Sequence, residues 1–169
     1  MRWLVYVLTV LAAFFAGIVA LGYTLEPVRS AQSSNECAAS ARELLATVLD
    51  VESQPRWRKG LVSVQRSDQA SAWEERTHLG EQISFKLVAA NENLVSMTLV
   101  SDRGYSGSWS AGLMEYGAGR TTITVKEEVT VENPIHRVTS RLFFDLDEFV
   151  ADHLSEWCSE AKRRASGRR

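Results

Sequence analysis

The chain opens on an uninterrupted apolar segment. Residues 3–23 read WLVYVLTVLAAFFAGIVALGY and contain no charged side chain. At about 1.5 Å per residue, a helix of this length reaches about 31 Å, which matches the ~30 Å hydrocarbon core of a bilayer. Trp3 and Tyr23 stand at its two ends, where amphipathic rings favour the membrane interface. The pattern predicts a membrane anchor over residues 1–24.

A cleaved signal peptide is the alternative for this segment, because Ala20 and Gly22 place small residues at a candidate cleavage site. The apolar core of a signal peptide usually runs about 7–15 residues, and this run is longer, which favours the uncleaved anchor. Arg2 favours a cytoplasmic N-terminus, and Arg29 beyond the span weakens that bias. We expect a single-pass membrane protein with its body on the non-cytoplasmic side.

From Gly60 onward, hydrophobic and polar positions alternate with a period of two, which is typical of strands. Six strands are predicted, at residues 61–66, 72–78, 82–90, 94–101, 106–115 and 120–131. The connections are short, so consecutive strands should pair antiparallel. Each strand has one apolar face, as at Ile83, Phe85 and Leu87, so that side of the sheet must be covered.

The segments before and after these strands carry other patterns. A poorly patterned first strand is predicted at 28–34, a helix at 38–48, and a turn or short helical piece at 52–57. Near the C-terminus, Asn133 is a good N-cap and Pro134 suits a first helical position. Apolar residues then recur at steps of three and four to Trp157, which predicts a covering helix over 134–163 with a break near 145–147.

Composition is ordinary for a globular chain, with 45% hydrophobic and 24% charged residues. The net charge of −2 hides an acidic body, because five of the basic residues fall within the basic tail at 162–169. That balance argues against nucleic-acid binding. The tail is expected to be a disordered solubilising end, or else a contact for anionic lipid headgroups.

This order of elements resembles the START-like superfamily, also called SRPBCC, which includes polyketide cyclases/dehydrases and lipid-transport proteins. The residues that carry the resemblance are Leu49-Asp50 with Pro55-Arg56-Trp57-Arg58; Trp73-Glu74; Ser106-Gly107-Ser108-Trp109; Gly119-Arg120-Thr121-Thr122-Ile123-Thr124; and Asn133-Pro134-Ile135-His136-Arg137 with Ser140-Arg141-Leu142-Phe143. The resemblance spans about residues 28–161. It implies an α+β helix-grip fold at 25–161, in which a curved antiparallel sheet of six to seven strands wraps a long C-terminal helix.

In that superfamily the gap between sheet and helix holds an apolar ligand. The resemblance therefore implies binding of a hydrophobic small molecule, a lipid or isoprenoid-like compound, beside the membrane. The side chains expected around it are Trp57, Trp73, Phe85, Met97, Leu99, Trp109, Leu113, Leu142, Phe143, Leu146, Phe149 and Trp157. The same residues could instead fill the core and leave a ligand-free interaction or envelope-stress module.

Catalysis of the polyketide aromatase/cyclase type is the other alternative, and it requires an acid or base facing the cavity. Glu75 and His153 are the candidates. Glu127 and Glu128 are adjacent on a strand and point to opposite faces, so they cannot form a carboxylate pair. The sequence predicts no cofactor.

The two cysteines, Cys37 and Cys158, lack metal-ligand spacing with the histidines, and no metal site is predicted. Export of the body would permit a disulfide between them, and the sequence leaves that pairing open.

Overall fold

The computed structural model describes residues 2–69, 71–117 and 119–167. An N-terminal helix, α1 (Arg2–Thr24), precedes strand β1 (Val28–Cys37), helix α2 (Ala41–Leu49) and a 3₁₀ helix (Val51–Arg56). Six further strands follow: β2 (Leu61–Arg66), β3 (Ala72–Thr77), β4 (Gln82–Ala90), β5 (Leu94–Ser101), β6 (Tyr105–Glu115) and β7 (Thr121–Val131). Two helices end the chain: α3 (Pro134–Phe143) and α4 (Leu146–Ser166).

The seven strands form one open antiparallel sheet in the order β1-β7-β6-β5-β4-β3-β2. The predicted pairing of consecutive strands is confirmed from β2 to β7, and β1 closes the order by pairing with β7 from Val28 opposite Thr130 to Cys37 opposite Thr121. This first strand is longer than the 28–34 predicted. It is an edge strand with few buried positions, Ala31 and Cys37 among them, so its sequence carries little alternation.

The core lies between one face of the sheet and α4. On β5 the inward positions Val95, Met97 and Leu99 are buried, and β6 and β7 continue the same alternation. From the other side, α4 packs its own apolar face on them, chiefly Val150, Leu154, Trp157 and Ala161. Burial of such side chains contributes about 1.5–3 kcal/mol each, so this interface is the main source of stability.

The predicted C-terminal helix is two helices, with the break near the expected place. The Asn133 side chain accepts hydrogen bonds from the backbone N–H groups of Ile135 and His136 at the start of α3. The backbone of Phe144 is extended. The side chain of Asp145 then caps α4 by accepting hydrogen bonds from the backbone N–H groups of Asp147 and Glu148. Of these two helices, only α4 contributes residues to the main core, because the extended residue redirects the chain between them.

The end of α4 corrects the prediction of a separate basic tail from residue 162. The helix continues to Ser166, and Arg163 and Arg164 both donate to the buried carboxylate of Glu160 at 2.7 Å. Arg164 also pairs with Asp50 beyond α2, at 2.8 Å. These basic side chains are therefore partnered within the fold, and the last two residues of the tail lie outside the described part of the chain.

Two contacts fix the ends of the body. A disulfide joins Cys37, at the end of β1, to Cys158 on α4, with Cα atoms 5.0 Å apart. At the opposite end, α1 packs on α3: Gly22 is buried against Pro134, so closely that a Cβ on Gly22 would overlap the Pro134 carbonyl. Helix α1 is long and apolar enough to span a bilayer, as a membrane anchor or a signal sequence would be.

Candidate functional site

A cluster of ionisable side chains lies inside the core, between the sheet and α4. Its members are Arg58 after the 3₁₀ helix, Glu75 on β3, Glu127 on β7 and His153 on α4. Glu75 is 4% exposed and Glu127 is 8% exposed. Burying ionisable groups costs free energy unless each is paired, so their partners decide what the cluster can do.

Arg58 and Glu75 form the centre of the cluster. Alternation along β3 points Glu75 inward together with Trp73. This is the orientation that the sequence required of a cavity-facing acid or base. Arg58 Nη1 lies 3.0 Å from both carboxylate oxygens, and Trp73 Nε1 donates to Oε1 at 3.1 Å. Gln54 also accepts from Arg58 Nη1, at 2.6 Å. The Glu75 carboxylate is thus held as the partner of a buried cation.

His153 contacts the same guanidinium from the helix side, with 3.2 Å between its Nε2 and Arg58 Nη2. Because a guanidinium can only donate, His153 Nε2 accepts, and the neutral ring carries its hydrogen on Nδ1. Burial and then the Arg58 charge lower the pKa of His153 to about 3. The ring is therefore neutral at physiological pH.

Glu127 is the second buried carboxyl of the cluster. It points inward from β7, opposite Trp109 in the register of β6 and β7, whereas Glu128 faces outward, as predicted. Burial raises the pKa of Glu127 to about 7, against the opposing effect of the Arg58 charge. Near neutral pH this carboxyl exists in both protonation states, so it can donate or accept a hydrogen bond.

Two hydrogen-bond donors, one on Arg58 and one on the neighbouring Trp157, have no partner within the described structure. They are Arg58 Nε and Trp157 Nε1, and both are buried. The centre of the Arg58 guanidinium lies 6.0 Å from the centroid of the Trp157 ring. Both atoms can only donate, so the site is complementary to an oxygen that accepts hydrogen bonds.

Aromatic rings surround the cluster. Trp73 stacks on Phe85 at 5.4 Å, and Trp109 meets Trp157 edge to face at 4.9 Å. Phe149 stands at the rim, 36% exposed, with its ring centroid 4.1 Å from that of His153. The interior therefore combines flat apolar walls with a polar centre, which is the usual make-up of small-molecule sites.

The structure brings together most of the side chains predicted to line a ligand. Buried within the core are Trp73, Met97, Leu99, Trp109, Leu113, Leu146 and Trp157. Trp57 and Phe85 are half-buried and pack against the core. For Leu142 and Phe143 the prediction is wrong: they are 69% and 84% exposed, because α3 ends at Phe143 and leaves the covering of the sheet to α4.

Buried side chains, Trp73, Trp109 and Trp157 among them, pack together where a gap was predicted. Two pockets formed by described residues lie elsewhere. One, of about 230 Å³, is at the β2–β3 turn beside Arg66 and Glu74, and the other, of about 140 Å³, is beside Glu36 and Arg120. A ligand between sheet and α4 would therefore have to displace side chains at the rim.

Sequence reasoning missed Arg58 and Glu127 as site residues. Glu127 alternates with Val125 and Val129, so the pattern already placed it on the apolar face. Arg58 stands in the Pro-Arg-Trp-Arg run, where no periodicity marks a buried cation. It joins the two predicted candidates, Glu75 and His153, which are far apart in the sequence.

The architecture defines the fold class of this chain. A seven-stranded antiparallel sheet closed by a long C-terminal helix is the helix-grip fold. Neither a protein-family model nor a curated protein matches the sequence. Solved structures do match, and they include an aromatase/cyclase, a START superfamily protein and a norcoclaurine synthase.

Three of these solved structures illustrate the likeness. The Zhui aromatase/cyclase from Streptomyces sp. R1128 has 10% identity and a TM-score of 0.66, covering 82% of this chain and 96% of its own. A START superfamily protein from Mycobacterium smegmatis has 16% identity and a TM-score of 0.57, covering 83% and 99%. Norcoclaurine synthase from Thalictrum flavum has 13% identity and a TM-score of 0.64, covering 82% and 96%. Such likeness establishes the shared fold.

Proposed function

We propose that this chain binds a hydrophobic small molecule, a lipid or isoprenoid-like compound, between the sheet and α4. The unpartnered pair of donors, Arg58 Nε and Trp157 Nε1, is the observation that carries the proposal. A buried donor left without an acceptor costs about 1–3 kcal/mol. The carbonyl or carboxylate oxygens of a ligand would supply acceptors for these donors.

The rest of the ligand would be apolar. Trp73, Trp109 and Trp157 present flat faces around the donors, and each methylene buried against them would contribute about 0.8 kcal/mol. Phe85 and Phe149 are incompletely buried at the edge of this interior, so their side chains are the ones that would move aside. The structural neighbours, which include an aromatase/cyclase and a START superfamily protein, favour the same kind of ligand.

The binding domain would be tethered by α1 acting as an uncleaved anchor. The disulfide between Cys37 and Cys158 favours an oxidising compartment for the body, since reducing cytosol rarely preserves such bonds. The proposed arrangement is therefore a single-pass protein with its helix-grip domain on the non-cytoplasmic side of the membrane.

Native mass spectrometry of the full chain, extracted from membranes in mild detergent, tests the binding proposal. We expect a co-purifying small molecule with a carbonyl or carboxylate group. Trp157→Phe keeps an aromatic ring and deletes one unpartnered donor. It should weaken retention about tenfold. Because the smaller ring also removes buried apolar surface, the stability of the ligand-free variant is measured alongside and is expected to fall as well.

Trp3→Phe is the matched control, because that indole is 79% exposed at the start of α1 and lies outside the site. It should leave retention unchanged. A wild-type protein that carries no small molecule and takes up no apolar dye would contradict the proposal. That result would identify a ligand-free module with a filled core.

An enzyme of the cyclase type is the second candidate, and Glu127 is the observation in its favour. A carboxyl with a pKa of about 7, near a buried cation and a neutral imidazole, suits proton transfer at physiological pH. Turnover of a polyketide-like substrate that is lost in Glu127→Gln, with ligand binding retained, would support catalysis over simple binding.

A further inference from the structure

A group of apolar side chains is exposed where α3 meets α4. Leu142, Phe143, Phe144 and Phe149 form this group, here called the corner patch, and they are 69%, 84%, 43% and 36% exposed. Three of them are consecutive in the sequence. Contiguous exposed residues of this size usually mark a surface that is covered in the working protein.

Helix α3 is fastened to the end of α1. The Arg137 guanidinium donates to the carbonyl oxygens of Gly22 and Leu25 at 3.4 and 3.3 Å, and Gly22 itself packs on Pro134. The Arg141 side chain donates to the carbonyl of Glu26 at 2.8 Å. These bonds use carbonyl groups that the last turn of α1 and the following connection leave free.

The connection between α1 and the body is very short. Helix α1 ends at Thr24 and β1 begins at Val28, which leaves residues 25–27 between them. Such a segment spans at most about 10 Å. Along α3, Phe143 lies about 14 Å from Pro134 at 1.5 Å per residue. The Arg29 guanidinium donates to the Phe144 carbonyl at 3.3 Å, which ties the corner patch to the start of β1, five positions after the end of α1.

We propose that the corner patch inserts into the interfacial layer of the bilayer that α1 spans, so that the body rests on the membrane. This inference rests on the proposed anchoring by α1. The partner it commits to is the acyl-chain boundary of a lipid bilayer. The charges beside the patch are mixed, with Arg141 against Asp145, Asp147 and Glu148. Attraction to anionic headgroups is therefore not what holds it.

The corner patch is continuous with the candidate site. The Phe144 ring lies 5.1 Å from that of Phe149, and Phe149 lies 4.1 Å from His153. His153 in turn contacts Arg58. Insertion of the patch would place the rim of the interior against the acyl chains, so an apolar molecule could pass between bilayer and protein without crossing water.

Site-specific labelling of the full chain tests this directly. Both native cysteines are in the disulfide, so an introduced cysteine is the single free thiol. Phe143→Cys would carry an environment-sensitive nitrobenzoxadiazole label in phosphatidylcholine nanodiscs that contain spin-labelled lipids. We expect a blue-shifted emission and strong quenching, which correspond to a depth of about 5–10 Å in the headgroup and acyl boundary.

Met114→Cys is the matched surface control. Met114 is 66% exposed on β6, and it pairs with Thr122 at the end of the sheet opposite the α1 junction. That label should stay unquenched. Phe14→Cys, in the middle of α1, reports separately on the anchor and should be quenched by lipids labelled deep in the acyl chain.

The outcomes separate the two proposals. Quenching at positions 14 and 143 but not at 114 supports insertion of the patch. Quenching at 14 alone overturns the insertion and leaves the anchor in place, and no quenching at 14 overturns the anchor itself. A signal at 143 that needs anionic lipid, or that disappears in about 0.5 M salt, where charge attraction is screened, would also overturn the apolar insertion proposed here.

Discussion

Arg58 is the residue on which the buried cluster depends, because its guanidinium contacts Glu75, Gln54 and His153 at once. Removing one partner of a buried ion pair leaves an uncompensated charge in the core. The cost of such a change usually exceeds the net contribution of the pair, whereas neutralising both partners is much less costly.

Arg58→Met should therefore lower the free energy of unfolding by about 3–5 kcal/mol. The double variant with Glu75→Gln should recover much of that loss, because the amide oxygen still accepts from Trp73. Chemical denaturation of the full chain in detergent measures both. Equal stabilities for the single and double variants would contradict an energetic role for the pair.

Glu127 and His153 should give opposite pH dependences of stability. Between pH 4.5 and 6.5, folded Glu127 holds a proton that the unfolded chain has released, since its pKa is raised from 4.5 to about 7. The Glu127 contribution to the free energy of unfolding therefore falls as pH rises. Over the same window, unfolded His153 holds a proton that the folded chain excludes, since its pKa is lowered from 6.5 to about 3. The His153 contribution to the free energy of unfolding therefore increases as pH rises.

The two effects cancel in the wild type and separate in single variants. Relative to wild type, Glu127→Gln should gain stability with rising pH by about 1.4 kcal/mol per unit between pH 4.5 and 6.5. His153→Gln should lose stability at the same rate. Denaturation midpoints across this window measure both slopes. Parallel curves for the three proteins would mean that neither group changes its pKa on folding.

At the scale of elements, Asp145 divides the C-terminal segment. Its side chain accepts from the N–H groups of Asp147 and Glu148, which starts a new helix directly after the extended Phe144. Without this cap, the first turn of α4 would have two free donors and the α3–α4 corner would be poorly defined.

Asp145→Ala should lower the free energy of unfolding by about 1 kcal/mol, the usual effect of losing an N-cap. Asp152→Ala removes the same charge from an exposed position in the middle of α4 and is the control. Asp145→Asn should behave almost as wild type, because an amide oxygen also caps. If Asp152→Ala lost as much stability as Asp145→Ala, the effect would be due to charge rather than to capping.

Alternation and capping predicted most of the elements. The strand β4 and its inward Phe85 follow directly from a period of two, and Asn133-Pro134 marks the start of α3. The prediction was wrong for Leu142 and Phe143 because helical spacing identifies an apolar stripe but not what covers it. Here the chain turns at the extended Phe144, so the apolar stripe of α3 does not continue onto the sheet as that of α4 does. Only the three-dimensional path of the chain reveals this turn.

The candidate site was predictable only in part. Glu75 and His153 were recognisable as ionisable residues on inward faces. The Arg58 contacts join the 3₁₀ helix, β3 and α4 across separations of 17 and 95 positions, and no local pattern reports a pairing of that range. The filling of the interior likewise depends on how three tryptophan rings pack, which composition does not determine.

At the scale of the whole molecule, the junction between α1 and the body is closely packed. Gly22 is buried at the contact with α3, where a Cβ would overlap the backbone of Pro134. Gly17, one and a half turns earlier on α1, has open space around its own Cβ position. The two glycines form a natural pair for testing whether the body has a fixed orientation.

Gly22→Ala should separate α1 from α3 and raise the rate of amide hydrogen exchange in α3 in lipid nanodiscs. Gly17→Ala should leave that exchange unchanged, because alanine favours the helix and meets nothing. Faster exchange in both variants, or in neither, would contradict a fixed junction at Gly22.

The three-residue connection after α1 also limits what the protein can do for a cargo. With α1 embedded, a body on so short a stalk has no room to travel to a second bilayer, as a diffusing carrier would. A ligand bound as proposed would be taken up and released beside the membrane that holds α1. Any transfer over distance would then require a mobile recipient that comes to the protein.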